Sequence, residues 1–138
     1  MNGVPPQKIR NVYGVAKIYE TYVGNKSFEP QDPIFADIRA LGGEYGATTG
    51  RPRQCNWLDL DNLQKACRVN GVTHLVMNKM DILRDLRVWE LYHGDKTQAF
   101  PTEFDMKEYI CDNFFNDVGG VFWSDNPNDI GTFKAFEI

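Results

Sequence analysis

The stretch Asp59 to Asp81 reads D-L-D-N-L-Q-K-A-C-R-V-N-G-V-T-H-L-V-M-N-K-M-D, and the order of its signals sets the fold class. Asp59 or Asp61 can accept from the free N–H groups of a first helical turn. Leu63, Ala66, Cys67 and Asn70 recur at helical spacing, and Gly71 stands where helices commonly end in a left-handed residue. The run Val72 to Met77 then predicts a strand, which ends at Asn78-Lys79-Met80-Asp81. A helix passing directly into a short buried strand is the half-unit of an α/β fold.

The flanks extend the alternation. Toward the N-terminus, Val12 to Val23 (V-Y-G-V-A-K-I-Y-E-T-Y-V) predicts one strand, residues 24–33 a loop with two prolines, and Ile34 to Ala40 a short helix. Leu41 to Asn56, with Gly42, Gly43, Gly46 and Gly50 and almost no apolar periodicity, predicts a long ordered loop, a kind of segment that tends to carry function. Toward the C-terminus, Val88 to Tyr92 predicts a strand. Asp105 to Phe115 predicts a helix with Met106, Tyr109, Ile110 and Phe114 on one side, and Val118 to Trp123 a last short strand. The expectation is one α/β domain over residues 1–138, with a partial, mostly parallel sheet and flanking helices.

Composition sets the outer limits. Hydrophobic residues make up 42% and charged residues 25%, and nine Phe, six Tyr and three Trp supply core bulk, so disorder over most of the length is excluded. A net charge of −4 gives no electrostatic reason to bind nucleic acid. The three cysteines Cys55, Cys67 and Cys111 form no CxxC pair, which fits reduced thiols in a cytoplasmic protein better than a disulfide framework. Residues 1–10 contain no apolar run of the signal-peptide kind, and no window approaches the roughly 18 apolar residues of a membrane span.

Two segments carry chemistry. Asn78-Lys79-Met80-Asp81 follows a buried strand, and ligands of open α/β sheets sit at the C-terminal ends of strands. A carboxylate there can accept from both N1–H and the N2 amine of guanine, a donor pair that adenine lacks, while the lysine stem lies along the base with its ammonium outside. The plainer reading has Asp81 cap a short helix over Ile82 to Leu86 with Lys79 solvated. No G-x-x-x-x-G-K-[ST] or G-x-G-x-x-G run is present to cradle phosphates, so this is not a P-loop GTPase. The second segment is Gly46-Ala47-Thr48-Thr49-Gly50-Arg51-Pro52-Arg53. Two hydroxyls, a permissive glycine and two guanidiniums make a compact anion receptor. His74 reads as structural within its strand, His93 as an exposed turn residue before Gly94, and no cysteine has an evident catalytic partner. Asp59, Asp61, Asp125 and Asp129 carry no spacing that selects a metal.

The run Glu44 to Asp59 resembles the aspartate-binding loop of the adenylosuccinate synthetase family. The similarity continues through Val69-Asn70-Gly71-Val72-Thr73 to Asn78-Lys79-Met80-Asp81, which is similar to the family's guanine-reading Lys-x-Asp. Upstream, Gly14 to Tyr19 with Tyr22-Val23-Gly24 resembles the family strand before the loop, and Ser124-Asp125-Asn126 sits where the family has a Ser-Thr-Gly lid over guanine. The resemblance is to the C-terminal part of the family fold. It implies that Ala47, Thr48, Thr49, Gly50, Arg51, Pro52 and Arg53 bind aspartate and the purine monophosphate. It further implies that Arg53, Lys79, Met80, Asp81, Ser124, Asp125 and Asn126 bind the guanine nucleotide.

The same resemblance places the phosphate loop, catalytic aspartate, general-acid histidine and magnesium ligand in an N-terminal part that this sequence does not match. GTP and Mg²⁺ are therefore implied by the family, with no catalytic residue and no metal ligand here. Tyr22 stands where the family usually has arginine, Gln54 replaces a third basic residue, Asn126 replaces a glycine, and the stretch between Tyr92 and Asp117 is shorter than the family's.

Three functions stay open on these residues. One is a component of a GTP-dependent ligase joining L-aspartate to C6 of a purine monophosphate, inactive alone. Another is a stand-alone module binding purine nucleotide or aspartate to sense, sequester or regulate. The third is an interaction protein with vestigial ligand loops. Partners open to these readings are a separately encoded N-terminal half, a full-length homologue or a second copy of the chain.

Overall fold

The computed structural model describes residues 11–124 together with the backbone of Thr132–Ala135. In chain order the elements are β1 (Tyr13–Lys17), β2 (Tyr19–Tyr22), α1 (Ile34–Gly42), β3 (Gln54–Asp59), α2 (Leu60–Asn70) and β4 (His74–Asn78). They continue with α3 (Met80–Leu86), β5 (Glu90–His93), β6 (Lys96–Ala99), α4 (Glu103–Phe114), β7 (Gly120–Trp123) and β8 (Thr132–Ala135). The α/β class and the parallel sheet are as the sequence predicts. Strands β1, β4 and β7 run parallel side by side, and β8 closes the row antiparallel to β7.

A second four-stranded sheet, β2-β3-β5-β6, was not foreseen. Its β3–β5 pairing is parallel and its two outer pairings are antiparallel. It arises because the expected strand Val12 to Val23 breaks at Ile18. That residue is fully buried, and its N–H donates to Asn78 O at 3.0 Å. Residues before Ile18 join one sheet and residues after it join the other. The predicted loop is correspondingly shorter, since Gln54–Asp59 is strand β3.

The caps act as their residue types dictate. Asp59 accepts from Asn62 N at 3.2 Å to open α2, and Gly71 closes it at φ 63°. Thr102 accepts from Asp105 N at 3.1 Å, so α4 starts two residues before the predicted Asp105. The buried stripe of α2 is Leu60 and Cys67 with Leu63 half-buried, whereas Ala66 and Asn70 face solvent. One apolar cluster joins both sheets and all four helices through residues such as Phe35, Trp57, Leu75, Met77, Met80, Ile110 and Phe114. Each large side chain fully removed from water there contributes about 1.5–3 kcal/mol before ordering costs. The opposite face of the first sheet leaves Tyr13 and Val15 exposed, with the Tyr13 ring stacked on His74 at 4.8 Å.

Candidate functional site

The glycine-rich loop is a closed structure in its own right. Gly43, at φ 64°, ends α1 in the left-handed region that a residue without Cβ adopts freely. The chain then narrows to an antiparallel bridge between Tyr45 and Pro52. Gly46 N donates to Arg51 O at 2.8 Å, Gly50 N to Gly46 O at 2.9 Å, and Arg53 N to Glu44 O at 3.0 Å. Thr49 Oγ1 accepts from Arg51 N at 3.2 Å, which uses one of the two candidate hydroxyls to shape the turn. Ala47, Thr48, Thr49, Gly50, Arg51 and Pro52 are exposed at its tip. The Arg51 guanidinium donates to the neutral amide oxygen of Asn25 at 2.9 Å.

At the base of the loop lies a residue to which the sequence reading gave no role. Glu44 is 2% exposed. Its Oε1 accepts from Lys17 Nζ at 3.1 Å and from Arg53 Nη1 at 2.9 Å, and its Oε2 accepts from Tyr19 OH at 2.6 Å. Burial pushes the Glu44 carboxyl upward, but the bonds from Tyr19, Arg53 and Lys17 outweigh it and hold the group below the usual carboxylate range. Burial and the same bond raise the Tyr19 phenol, and the nearby charge of Asp81 adds to the rise. Gln54, read as a lost basic residue, fastens the preceding loop. It accepts from Phe28 N and Glu29 N and donates to Gly24 O and Lys26 O.

The turn after β4 lies on the same side. Lys17, which holds Glu44, is the β-partner of Asn78. Lys79 adopts φ 69°, a conformation uncommon outside glycine. Its ammonium is not free in solvent as expected: Nζ donates to Gly42 O at 3.1 Å, at the carbonyl end of α1 where a cation is favoured. The helix after it starts at Met80, with Lys79 in the cap position and no side-chain cap bond. Asp81 therefore sits inside the first turn of α3 and does not cap a helix over Ile82 to Leu86. The Met80 side chain is fully buried in the core, which leaves only its backbone for a ligand.

Val15, Leu41, Val76, Asn78, Lys79, Asp81, Ile82 and Ser124 line a cavity of about 470 Å³. Apolar walls with a few convergent polar groups are the usual make-up of a small-molecule site. Among the described residues Asn78 Oδ1 is a buried acceptor without a hydrogen-bond partner. Asp125 and Asn126 lie outside the described residues.

The other candidates take structural places. His74 Nδ1 lies 2.9 Å from Thr73 Oγ1, and its ring packs in the Tyr13–Phe122 stack. His93 is not the exposed turn residue expected. Its ring is half-buried, its Nδ1 is hydrogen-bonded to Tyr109 OH and its Nε2 lies 3.5 Å from Asp61 Oδ1. All three cysteines are free and buried, and burial pushes the Cys55 thiol up to about 11. Among the described residues no three His, Cys, Asp or Glu side chains gather as a metal cage. No described helix is long and apolar enough to cross a membrane.

Comparison with known proteins relates the chain to one family. The family model described as adenylosuccinate synthetase covers residues 1–135. The adenylosuccinate synthetase of Thermodesulfovibrio yellowstonii is 46% identical over 139 residues, covering 96% of this chain and 32% of the relative. That of Cytophaga hutchinsonii is 40% identical over 143 residues, again 96% of this chain and 32% of the relative. A chloroplastic adenylosuccinate synthetase from Chlamydomonas reinhardtii is 43% identical over 98 residues, 70% of this chain and 21% of its own length. Among solved structures, the fully ligated adenylosuccinate synthetase of Plasmodium falciparum shares the fold. Its TM-score is 0.70 at 23% identity, over 98% of this chain and 42% of that one. The chain thus spans about a third of the length of the curated relatives it matches.

Proposed function

The chain belongs to the adenylosuccinate synthetase family, and from that premise we propose that it supplies the aspartate loop and the guanine-reading turn of a GTP-dependent ligase. The ligase joins L-aspartate to C6 of a purine monophosphate in the cytoplasm. In that chemistry the C6 oxygen is first phosphorylated, because oxide is a poor leaving group, and the aspartate amine then displaces the phosphate. This chain's part is to bind and orient. Ala47 to Arg53 receive the aspartate, with Arg51 also touching the purine monophosphate. Arg53, Lys79 and Asp81 receive the guanine nucleotide, closed over by Ser124, Asp125 and Asn126. Mg²⁺, which would shield phosphate charge, is assigned to none of the described residues.

The observation that carries the reading is a connection between two segments that are remote in sequence. Arg53 meets Glu44, Glu44 meets Lys17, and Lys17 pairs with Asn78 at the head of the turn that lines the cavity. The proton-transfer groups come from the remainder of the family's length, on the same polypeptide or a separate one. The exposed Tyr13 and Val15 face suits contact with such a segment, a full-length homologue or a second copy. The cavity and loop, standing ready among the described residues, also favour a second reading, in which the chain binds purine nucleotide or aspartate without turnover. The test is calorimetric titration of the 138-residue chain with GDP, inosinate and L-aspartate, together with a turnover assay containing GTP, Mg²⁺, inosinate and L-aspartate, each with the chain alone and mixed with the complementary segment of a relative. Binding alone with turnover only in the mixture supports the ligase reading. Binding with no turnover in either supports the second. Absence of binding refutes both.

A further inference from the structure

Beyond the residues assigned above, we infer that Glu44 is the positioning residue of the aspartate loop, fixing Arg53 and Lys17 in place so that the loop stands preformed before ligand arrives. The inference rests on the loop being a ligand receptor, as proposed.

Geometry carries it. Glu44 is the only charged or polar residue in the buried class among the described residues. Both of its oxygens are used, and its three side-chain donors come from three places: β1, the start of β2 and the far end of the loop. Its own backbone carbonyl accepts from Arg53 N at 3.0 Å, so side chain and main chain clamp the same residue. Its N–H is also used, donating to Arg39 O at 3.0 Å at the end of α1. A charge removed from water this thoroughly is costly unless paired, and removing one side of such a pair leaves the other uncompensated. Two cations that would repel each other are thereby held on one oxygen. Arg51 stays outside the network on a neutral amide, leaving excess positive charge on the loop side for an anionic ligand. A receptor whose cations are already ordered has less entropy to lose on binding.

The charge also separates positioning from mere filling. Glu44→Gln is nearly isosteric and can still accept from Tyr19, but it brings an N–H₂ donor toward Lys17 and Arg53. Glu44→Asp keeps the charge with one methylene less. Amide hydrogen exchange at Gly46, Gly50 and Arg53 reads loop order, and exchange at Leu75 and Met77 reads the sheet. In Glu44→Gln the three loop amides are expected to lose at least tenfold protection while the two sheet amides stay within twofold. Glu44→Asp recovers part of the loss. Lys17, Tyr19 and Arg53 donate to this carboxylate, and the Cys55 thiol lies within its electrostatic reach. Protonating the carboxylate removes the charge that holds the two cations, so the wild-type loop protection, corrected for intrinsic exchange, falls as pH drops below the usual carboxylate range, and that of Glu44→Gln does not.

In parallel, calorimetry is expected to show a Kd for L-aspartate at least fivefold higher in Glu44→Gln. If wild type binds no aspartate, the receptor reading fails and the exchange arm alone decides whether Glu44 orders the loop. Equal loop protection in wild type and Glu44→Gln, or equal aspartate affinity where wild type binds, overturns the inference. Should Glu44→Gln not fold, Arg53→Gln takes its place, since it leaves the carboxylate paired with Lys17 and Tyr19. Unchanged protection at Gly46 and Gly50 in that variant overturns the inference equally.

Discussion

Replacing Asp81 by Asn separates recognition from scaffolding, because the structure leaves this carboxylate little scaffolding to do. It lies on the cavity wall in the first turn of α3, one residue inside the start of the helix, and the cap position belongs to Lys79. Its main structural contribution is charge at a helix N-terminus, about 0.3–1 kcal/mol at most for so short a helix. Stability should therefore fall by less than about 1 kcal/mol in urea. Guanine binding is another matter. If the two carboxylate oxygens take N1–H and the N2 amine, the amide keeps one acceptor and turns a donor against a donor. A charge-assisted bond is worth about 1.5–3 kcal/mol, so the GDP dissociation constant should rise at least tenfold. Xanthine carries a carbonyl in place of the N2 amine and can accept from the new amide, so xanthosine diphosphate should gain affinity. The assay is calorimetric titration of both nucleotides against wild type and Asp81→Asn, with urea unfolding of each protein. Unchanged GDP affinity refutes guanine reading at this residue. A loss of affinity accompanied by several kcal/mol of lost stability would show instead that Asp81 supports the fold.

Gly42→Ala should destabilise by about 1–3 kcal/mol, because a Cβ there would stand 2.2 Å from Tyr19 OH and drive that hydroxyl off Glu44; urea unfolding checks the first effect and exchange at Gly46 the second. Phe35→Ala, which empties a fully buried site against the Trp57 ring at 4.9 Å, should cost about 3–5 kcal/mol by the same unfolding measurement. Glu103 is held down at about 2 by its bond to Arg84, against burial, with Lys107 adding to the effect. A depressed carboxyl stabilises the fold above its unfolded value of about 4.3 and loses that contribution as pH falls toward 2. Glu103→Gln should therefore lose about 1 kcal/mol near neutrality, discounted for the half-exposed Arg84, and match wild type in urea below about pH 2.

What the sequence disclosed followed from local chemistry. The α2–β4 unit was legible because Asp59, Gly71 and the apolar run Leu75 to Met77 each act through neighbours a few residues away. The second sheet was not legible, because nothing in V-Y-G-V-A-K-I-Y-E-T-Y-V marks Ile18 as the point where the chain changes partners. Its neighbours alternate as one strand would, and only the tertiary bond to Asn78 O shows the break. Strand β6, K-T-Q-A, escaped because it is largely exposed: it pairs with β5 through a tight turn at Gly94, φ 67°, and carries no apolar signature. The loop and the turn stood out as segments, the loop by its glycines, threonines and arginines and the turn by its place after a buried strand. Glu44 was not. Its partners Lys17 and Tyr19 lie 27 and 25 residues earlier, and a lone carboxylate beside a glycine-rich loop looks solvated until those strands arrive. The one available signal was a single acidic residue next to a loop carrying two arginines.

The break at Ile18 and the hub at Glu44 are two sides of one arrangement. Lys17 and Tyr19 flank the break, so they belong to different sheets while remaining two residues apart in the chain. Both donate to the same carboxylate. The loop that Glu44 clamps is therefore referenced to the edge of each sheet at once. Meanwhile Ile18 N, between them, donates to the carbonyl of Asn78. That carbonyl opens the turn carrying Lys79 and Asp81, and Lys79 reaches back to Gly42 at the end of α1, two residues before Glu44. The bonds form a ring: β1 to Glu44, Glu44 along the backbone to Gly42, Gly42 to Lys79, Asn78 back to the β1–β2 junction. A closed ring resists deformation better than a chain of the same bonds, because displacing one member strains contacts on both sides. On the proposed function one substrate would sit on each of loop and turn, and the ring would fix the separation between them. It follows that cutting the ring at Lys79, by Lys79→Met, should loosen the amides of Gly46 and Arg53 without any contact to the loop itself. Wild-type exchange at those two amides in that variant would show that loop and turn are set independently.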